Sequence, residues 1–200
     1  PMNLKRYDWG YVSEPEQNLN GRRLVVPRGK VIGGSSSING MVYVRGHACD
    51  YDYWSKNGAS GWSFADVLPY FKKMECCESR QSTWRGKNGP MHIKTAEQKN
   101  VLHKVFSDAA IQCGYSFTED YNGYKQEGFG QKFMNVDAGI RASSSYAYLR
   151  PIKHRANLKI LCKSLVTRII FKQKKAVGVE ILRKNKKHIT VSYTHLRAHE

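Results

Sequence analysis

The segment Gly29–Gly40 constrains the fold more than any other part of the chain. Two adjacent glycines are followed by three serines, and apolar runs lie on both sides. Glycine adopts positive φ without a Cβ clash, so this backbone can turn sharply and approach an anion closely. The pattern predicts a short helix over Ile38–Tyr43 with Ser36 or Ser37 as its N-cap, whose free N–H groups face a phosphate or an electron-rich ring edge. The alternative is a strand–turn–helix corner that binds no ligand.

This segment belongs to a longer ordered set of short motifs. The set consists of Pro27–Gly46, Asp50–Trp54, Gly61–Phe71, Asp120–Gly123, Glu127–Gly130, Ala147–Pro151 and Ala176–Glu180. Together these motifs resemble the glucose–methanol–choline (GMC) oxidoreductases, FAD-dependent enzymes that oxidise alcohols, and in particular their choline-dehydrogenase-like branch. A lone Gly-Gly-Ser is weak evidence, but a set that covers nearly the whole chain in the family's order is specific.

The resemblance implies a mixed fold of helices and strands (α/β, or α+β). The chain would be a fragment of a discontinuous, Rossmann-like FAD-binding domain plus part of the substrate-binding domain. Residues 1–75 and 157–190 would belong to the FAD-binding domain, and residues 76–156 to the substrate domain and covering loops. Residues 191–200 resemble a translated sequencing adapter and are left out of the fold prediction as a non-native tail.

The resemblance also implies which residues bind the cofactor, mainly through their backbone. The residues along the flavin and its diphosphate would be Val31, Gly33, Gly34 and Ser35. Those approaching the isoalloxazine would be Asn39, Gly40, Met41 and Val42. Val166 matches a strand position that contacts the adenine in relatives. For the apolar members of this set, the alternative is ordinary core packing.

Further expectations concern the bond to the cofactor and the catalytic groups. Some relatives carry a histidine, covalently bonded to FAD, where this chain has Ile38, so the resemblance implies non-covalent FAD. The family's catalytic histidine with its partner and its ADP-binding glycine motif do not occur in this sequence. The opening Pro1–Arg6 reads like the interior of a longer protein. We therefore expect an internal fragment with no catalytic residue and no metal site, and we expect His47 to lie in a surface loop.

Charge is unevenly distributed along the chain, whose formal net charge is +17. Between Pro151 and Thr190 there are twelve Lys and Arg against the single acid Glu180. The predicted explanation is a solvated basic face formed by two Lys-rich turns between strands. The alternative is attraction to an anionic membrane surface or an acidic partner. Nucleic-acid binding is not favoured, because aromatic residues are not interleaved with the basic ones.

Hydrophobic periodicity predicts the main elements. The predicted helices are Asp50–Asn57, a helix capped by Ser63 that Pro69 kinks or divides, Val101–Cys113 and Ser143–Leu149. A polar stretch, Glu75–Gly89, is interpreted as a linker or exposed loop. The predicted strands Leu158–Cys162, Leu165–Phe171 and Ala176–Leu182 would form an antiparallel meander. Five cysteines without framework spacing predict reduced thiols.

The leading hypothesis for function is an FAD-dependent oxidoreductase that acts on the CH–OH group of small alcohols, with hydride transfer to flavin N5. The activity would belong to the full-length protein, and the sequence does not indicate the electron acceptor. We expect a cytoplasmic protein, with peripheral membrane association as the alternative. The competing hypotheses are a non-catalytic basic module that binds anionic surfaces, and another member of the same family such as an oxidase or a lyase.

Overall fold

The computed structural model describes residues 4–78, 82–97 and 99–191. The chain divides into two compact units, residues 1–153 and residues 154–200. Helices and strands are mixed, as the sequence predicts. The predicted tail lies outside the described residues except for Val191, which ends the last strand.

The first unit begins with short elements and contains three longer helices. Its helices are α1 (Leu4–Tyr7), α2 (Ala48–Lys56), α3 (Phe64–Met74) and α4 (Val101–Gln112), and short 3₁₀ helices cover Gln17–Leu19, Gly34–Ser37 and Arg150–Ile152. A π-helical turn covers Ser145–Leu149. Its strands are β1 (Tyr11–Val12), β2 (Val25–Val26), β3 (Glu75–Cys77), β4 (Met91–Thr95), β5 (Phe133–Met134), β6 (Val136–Asp137) and β7 (Ile140–Arg141).

The sheet that organises this unit has the order β3-β4-β5. β3 runs parallel to β4, with Cys76 opposite His92, and β5 pairs antiparallel to β4, with Phe133 opposite Thr95. β1 pairs with β2 and β6 pairs with β7, both antiparallel. The core forms on one side of the three-stranded sheet; its buried members are Tyr43, Cys77, Met91, Ile93, Phe133, Ala142 and Ala147. The segment that follows the glycine–serine motif therefore enters the core at Tyr43.

The interpretation of Glu75–Gly89 as a linker or exposed loop is wrong for the buried residues of this segment, while Glu78, Ser82, Thr83, Lys87 and Asn88 are exposed as predicted. Glu75–Cys77 is a fully buried strand, and Gly86 and Gly89 are buried too. A Cβ at Gly86 would lie 2.0 Å from the carbonyl oxygen of Lys72, so only glycine fits there. The polar composition misleads because Glu75 is buried by pairing with arginines rather than by apolar contacts.

The helices predicted over Asp50–Asn57, after Ser63 and over Val101–Cys113 are present, with differences in detail. Ser63 caps α3 through a complete capping box with Asp66, and α3 continues through Pro69 without dividing. Pro69 is the sixth of eleven residues and has no backbone N–H to donate to the carbonyl of Ala65, so α3 forms despite the loss of one helical hydrogen bond, and its capping box offsets part of that loss. The apolar stripe of α4 is only partly covered by the described chain: Leu102 and Phe106 are each 65% exposed, while Phe106 contacts the ring of Phe129 and Ala110 is buried.

The second unit is a three-stranded antiparallel meander, as predicted, but with a different set of strands. Its order is β10-β9-β8, with β8 covering Leu165–Lys172, β9 Lys175–Arg183 and β10 Lys186–Val191. The predicted strand Leu158–Cys162 is wrong: this segment has no strand pairing, and Lys163 at φ 53° turns the chain before β8. The two Lys-rich stretches do form the turns, as expected.

All five cysteines are free thiols, as the sequence predicts. Cys76 and Cys77 are adjacent and buried, while Cys49, Cys113 and Cys162 are exposed. Burial is the main factor that raises the pKa of the Cys76 thiol, and neighbouring acidic groups add to it. No helix among the described residues has the length and apolar character that crossing a bilayer requires.

Candidate functional site

The glycine–serine loop, defined here as residues 29–42, folds differently from the prediction. No helix covers Ile38–Tyr43; a 3₁₀ helix instead covers Gly34–Ser37. The hydroxyl groups of Ser36 and Ser37 donate to the carbonyl oxygens of Gly33 (2.5 Å) and Ile32 (2.9 Å) and do not cap a following helix. The predicted contribution of a helix N-terminus to this site therefore has no basis in the structure.

The glycines of this loop have two different surroundings. A Cβ at Gly29 would lie 2.2 Å from the carbonyl oxygen of Gly34, so Gly29 lets two parts of the loop touch. Gly33 has φ 89° and lies against Ser37. A Cβ at Gly34 or at Gly40, in contrast, would meet no heavy atom within 4 Å. These two positions thus present bare backbone to open space.

Two residues from a distant part of the chain hold this loop through hydrogen bonds. The first is Ser144, whose backbone N–H donates to Ser36 Oγ at 2.9 Å. Its own hydroxyl donates to the carbonyl oxygen of Gly33 at 3.1 Å. The Ser36 hydroxyl and the carbonyl oxygen of Gly33 are therefore hydrogen-bonded within the protein, which fixes the 3₁₀ turn.

The second is Arg141 on β7. Its guanidinium donates to the carbonyl oxygen of Asn39 at 2.7 Å and to the side-chain Oδ1 of Asn39 at 2.9 Å. Asn39 Oδ1 also accepts from the backbone N–H of Met41 at 3.0 Å, and Met41 takes the rare φ of 62°. Hydrogen bonds to a charged donor are stronger than neutral ones, so Arg141 holds this second bend of the loop.

Apolar side chains of the loop lie at the surface and not in the core. Val31 and Val42 are 40% and 45% exposed, and Ile32 beside Val31 is exposed as well. The alternative of ordinary core packing therefore does not describe Val31 or Val42 in this structure. Exposed apolar side chains next to bare glycine backbone make a surface that a flat ring system can cover.

The structure brings most of the predicted cofactor residues together. Eight of them belong to the one glycine–serine loop: Val31, Gly33, Gly34, Ser35, Asn39, Gly40, Met41 and Val42. Ser35 Oγ accepts from the backbone N–H of Gly29 at 3.1 Å. Val166 lies on β8 in the second unit, where its side chain is exposed. Its place in a cofactor site stays a prediction.

Sequence reasoning did not identify Ser144 or Arg141. Each lies more than 100 residues from the loop that it contacts. A serine run at 143–145 is visible in the sequence, but its proximity to another serine run has no periodic or spacing signal. Such contacts follow only from the fold.

A buried ion cluster supports the chain directly after the loop. Arg45 donates to Glu75 Oε2 at 2.6 Å, and Arg85 Nε lies 2.8 Å from Glu75 Oε1 without the alignment of a hydrogen bond. Arg85 also approaches Asp120 Oδ1 at 3.4 Å. Burial raises the pKa of Tyr43, which lies between the loop and this cluster, to about 12. The cluster therefore ties the segment Tyr43–Arg45, which follows the loop, to β3.

His47 has a structural position, in agreement with the expectation that it lies in a loop. It is the N-cap of α2, and its Nδ1 accepts from the backbone N–H of Cys49 at 3.2 Å. A ring nitrogen that accepts a cap hydrogen bond is not available as a base at the same time.

Comparisons with known proteins agree with one another. The family model described as "GMC oxidoreductase" matches residues 13–198. The oxygen-dependent choline dehydrogenase of Brucella ovis is 54% identical over 181 residues, which cover 90% of this chain and 33% of that protein. The protein of the same name from Rhizobium johnstonii is 55% identical over 183 residues, covering 92% of this chain and 33% of that protein. The chain thus spans about a third of the length of these curated relatives.

Solved structures with a similar fold include two proteins at 28% identity. Pyridoxine 4-oxidase from Mesorbium loti superposes with a TM-score of 0.86 over 92% of this chain and 37% of that chain. An FAD-dependent oxidoreductase from Chaetomium thermophilum superposes with a TM-score of 0.88 over 96% of this chain and 36% of that chain. With the family model matching almost the entire sequence, the chain belongs to the GMC oxidoreductase family.

Proposed function

We propose that the full-length protein is an FAD-dependent oxidoreductase that oxidises the CH–OH group of a small alcohol, with choline as the first substrate to test. Family membership and 54% identity to oxygen-dependent choline dehydrogenases support this reaction class. The structural observation that carries the proposal is the bare backbone at Gly34 and Gly40, beside exposed apolar side chains.

The residues of the glycine–serine loop fit a dinucleotide with a flat ring system. Gly34 and Gly40 leave space that a Cβ would fill, and Val31 and Val42 offer apolar surface on either side. Ser144 satisfies the polar groups behind the 3₁₀ turn, so the loop is ordered before binding. A preorganised loop loses little conformational entropy when a ligand binds.

When bound, FAD supplies the two-electron acceptor at flavin N5 for the hydride of the alcohol carbon. The chain's own contribution is to hold and orient that group and to exclude water from it. Arg141 brings a permanent positive charge to the Asn39 bend, where the resemblance puts the isoalloxazine. Such a charge favours extra electron density nearby. We assign the base that takes the hydroxyl proton to a part of the full-length protein outside this sequence.

We further propose that FAD is held without a covalent bond through the loop. Ile38 occupies the position where some relatives carry a bonded histidine, and an aliphatic side chain has no nucleophilic atom. Acid precipitation of the full-length protein tests this: the yellow colour should stay in the supernatant. Colour that pellets with the protein would contradict it.

The reaction is tested by an absorbance experiment on the purified full-length protein. We expect the spectrum of oxidised flavin. This absorbance should bleach when choline is added without oxygen, and other small alcohols should bleach it less efficiently. A colourless protein, or a flavin that no alcohol in the panel reduces, would overturn the proposal.

An oxidase of the same family is the second candidate. The name of the similar Brucella and Rhizobium proteins includes oxygen dependence, and one similar solved structure is an oxidase. Reoxidation of the bleached flavin by air, with one peroxide formed per alcohol, identifies an oxidase. Slow reoxidation in air with fast reoxidation by an artificial quinone identifies a dehydrogenase.

The basic-module alternative is not favoured. The two Lys-rich turns, at 172–175 and 183–186, lie at opposite ends of the nine-residue strand β9. A strand of that length spans roughly 30 Å, which is several Debye lengths at physiological ionic strength. The turns therefore do not form one continuous patch for an anionic surface.

A further inference from the structure

Three side chains with metal-binding atoms come together where β3 ends beside β4: Cys76, Glu78 and His92. Cys76 on β3 is directly opposite His92 on the parallel neighbour β4. Glu78 lies in the turn directly after β3 and is exposed, two residues beyond Cys76. The thiol, a carboxylate oxygen and a ring nitrogen all lie within 4.8 Å of one another.

We propose that Cys76, Glu78 and His92 form a binding site for Zn²⁺, with a fourth position for water or another ligand. Thiolate, imidazole and carboxylate are the three protein ligand types of zinc, and a mixed set of three leaves an open position. Bonds of about 2.0–2.3 Å hold the ligand atoms of a tetrahedral zinc ion about 3.5 Å apart. The observed spacing therefore needs only small rotations of the side chains.

A carboxylate behind the histidine is consistent with this site. Asp137 Oδ1 lies 3.6 Å from His92 Nδ1, and Asp137 Oδ2 accepts from the hydroxyl of Tyr146 at 3.0 Å. Histidines that bind a metal commonly hold their other ring nitrogen against a carboxylate, which fixes the ring and raises its basicity. We therefore assign His92 Nε2 to the metal, since Nδ1 faces Asp137, which is itself hydrogen-bonded by Tyr146.

Charge around the three side chains also favours a cation. Glu78 and Asp137 bring two carboxylates to a buried thiol. Lys94, two residues along β4 from His92, directs its ammonium group to Glu97 at 3.6 Å. Binding forms zinc–sulfur, zinc–nitrogen and zinc–oxygen bonds, and the proton of the Cys76 thiol passes to the solvent. No oxidant or reductant is required.

The test uses the full-length protein, stripped with a chelator and then titrated with zinc sulfate in a calorimeter. We expect one Zn²⁺ per chain in addition to any other site, with one proton released as measured by the buffer dependence of the enthalpy. Titration with Co²⁺ should give a thiolate-to-cobalt charge-transfer absorption in the near ultraviolet. The absence of stoichiometric zinc binding overturns the proposal.

Variants identify the ligands. Cys76→Ser should remove the charge-transfer absorption, and His92→Gln should weaken zinc binding at least about 10-fold. The matched controls are Cys49→Ser and His103→Gln, since both residues are exposed and outside the cluster. His92 is half-buried, so its variant remains informative if the variant of the buried Cys76 fails to fold.

If zinc binds at this site, the Cys76 and His92 variants lose binding and the Cys49 and His103 controls keep it; if it does not, all four behave alike. Binding that is unchanged in His92→Gln overturns the proposal, as does charge-transfer absorption that remains in a folded Cys76→Ser. FAD content is measured on the same samples. Zinc binding in a protein without flavin supports this site while contradicting the proposed enzymatic function, so the two proposals fail separately.

Discussion

Gly29 and Gly34 are single residues at which glycine is required for two different reasons. At Gly29 a side chain is excluded by the protein, because it would overlap the carbonyl oxygen of Gly34. At Gly34 the protein leaves the space open, and only φ of 56° disfavours a side chain. An outward-facing glycine on an ordered loop is what close contact with a ligand requires.

Replacing Gly34 tests this reading. In the full-length protein, Gly34→Val should reduce bound FAD at least about 10-fold, because the side chain takes the space of the cofactor and a β-branched residue is strained at positive φ. FAD content per chain is measured from the absorbance spectrum.

The control for this variant is Gly114→Val. Gly114 also has positive φ (84°) and no heavy atom within 4 Å of a built Cβ, but it follows α4 and not the glycine–serine loop. A side chain at Gly114, with its larger φ, is strained at least as much as one at Gly34, and the variant should retain FAD. Equal FAD loss in both variants would show that strain, and not contact with the cofactor, is responsible.

Glu75 is the residue on which the buried ion cluster depends. Its side chain is fully buried between the guanidinium groups of Arg45 and Arg85. Glu75→Gln leaves two buried cations with one partner fewer and should lower the free energy of unfolding by about 3–5 kcal/mol. Urea denaturation of the full-length protein measures this loss.

Glu14→Gln is the comparison for that experiment. Glu14 pairs with Arg23 at 3.8 Å, with both side chains more than half exposed. An exposed pair contributes at most about 1 kcal/mol. A loss for Glu75→Gln as small as that for Glu14→Gln would contradict the role given to the cluster.

At the scale of elements, the β6–β7 hairpin positions the glycine–serine loop through Arg141. Arg141→Gln removes the charged donor from both oxygens of Asn39. We expect FAD affinity of the full-length apoprotein to fall about 10- to 150-fold, since loss of a hydrogen bond to a charged group corresponds to about 1.5–3 kcal/mol. A fluorescence titration with FAD measures the Kd.

Arg141→Lys should restore part of this affinity, because an ammonium group reaches one acceptor but cannot reproduce the fork of the guanidinium. The midpoint of thermal unfolding is recorded for each variant. An unchanged Kd in Arg141→Gln would show that the hairpin does not hold the loop for binding.

The N-terminal cap of α3 stabilises this helix through two hydrogen bonds between Ser63 and Asp66. The hydroxyl of Ser63 accepts from the backbone N–H of Asp66, and Asp66 accepts from the backbone N–H of Ser63. Ser63→Ala should lower the free energy of unfolding by about 1 kcal/mol. Ser63→Thr keeps the cap oxygen and should stay within about 0.5 kcal/mol of the parent. Equal losses in the two variants would show that the cap is not responsible.

Local signals explain which elements the sequence predicts. α3 is predictable because both residues of its capping box, Ser63 and Asp66, lie within one four-residue stretch of sequence. The Lys-rich turns are predictable because their lysines interrupt apolar runs. The helix over Ile38–Tyr43 was wrong because Ser36 and Ser37 bond backward to the loop and, with Ser144, satisfy a tertiary network instead. The location of the candidate site could be predicted from its motif; the side chains that hold it could not, because they come from residues 141 and 144.

At the scale of the whole molecule, the chain consists of two units and carries a large positive charge. The described part of the first unit holds the glycine–serine loop, the ion cluster and the candidate zinc site. The meander of the second unit holds Val166 and the two basic turns. The assignment of residues 1–75 and 157–190 to an FAD-binding domain and of 76–156 to a substrate domain remains a proposal.

A crystal structure of the full-length protein grown with FAD tests the central claim most directly. The account predicts that the backbone of Gly34 lies in van der Waals contact, about 4 Å or less, with the bound dinucleotide, and that Asn39 stays bonded to Arg141. A bound FAD that does not touch the glycine–serine loop would contradict it.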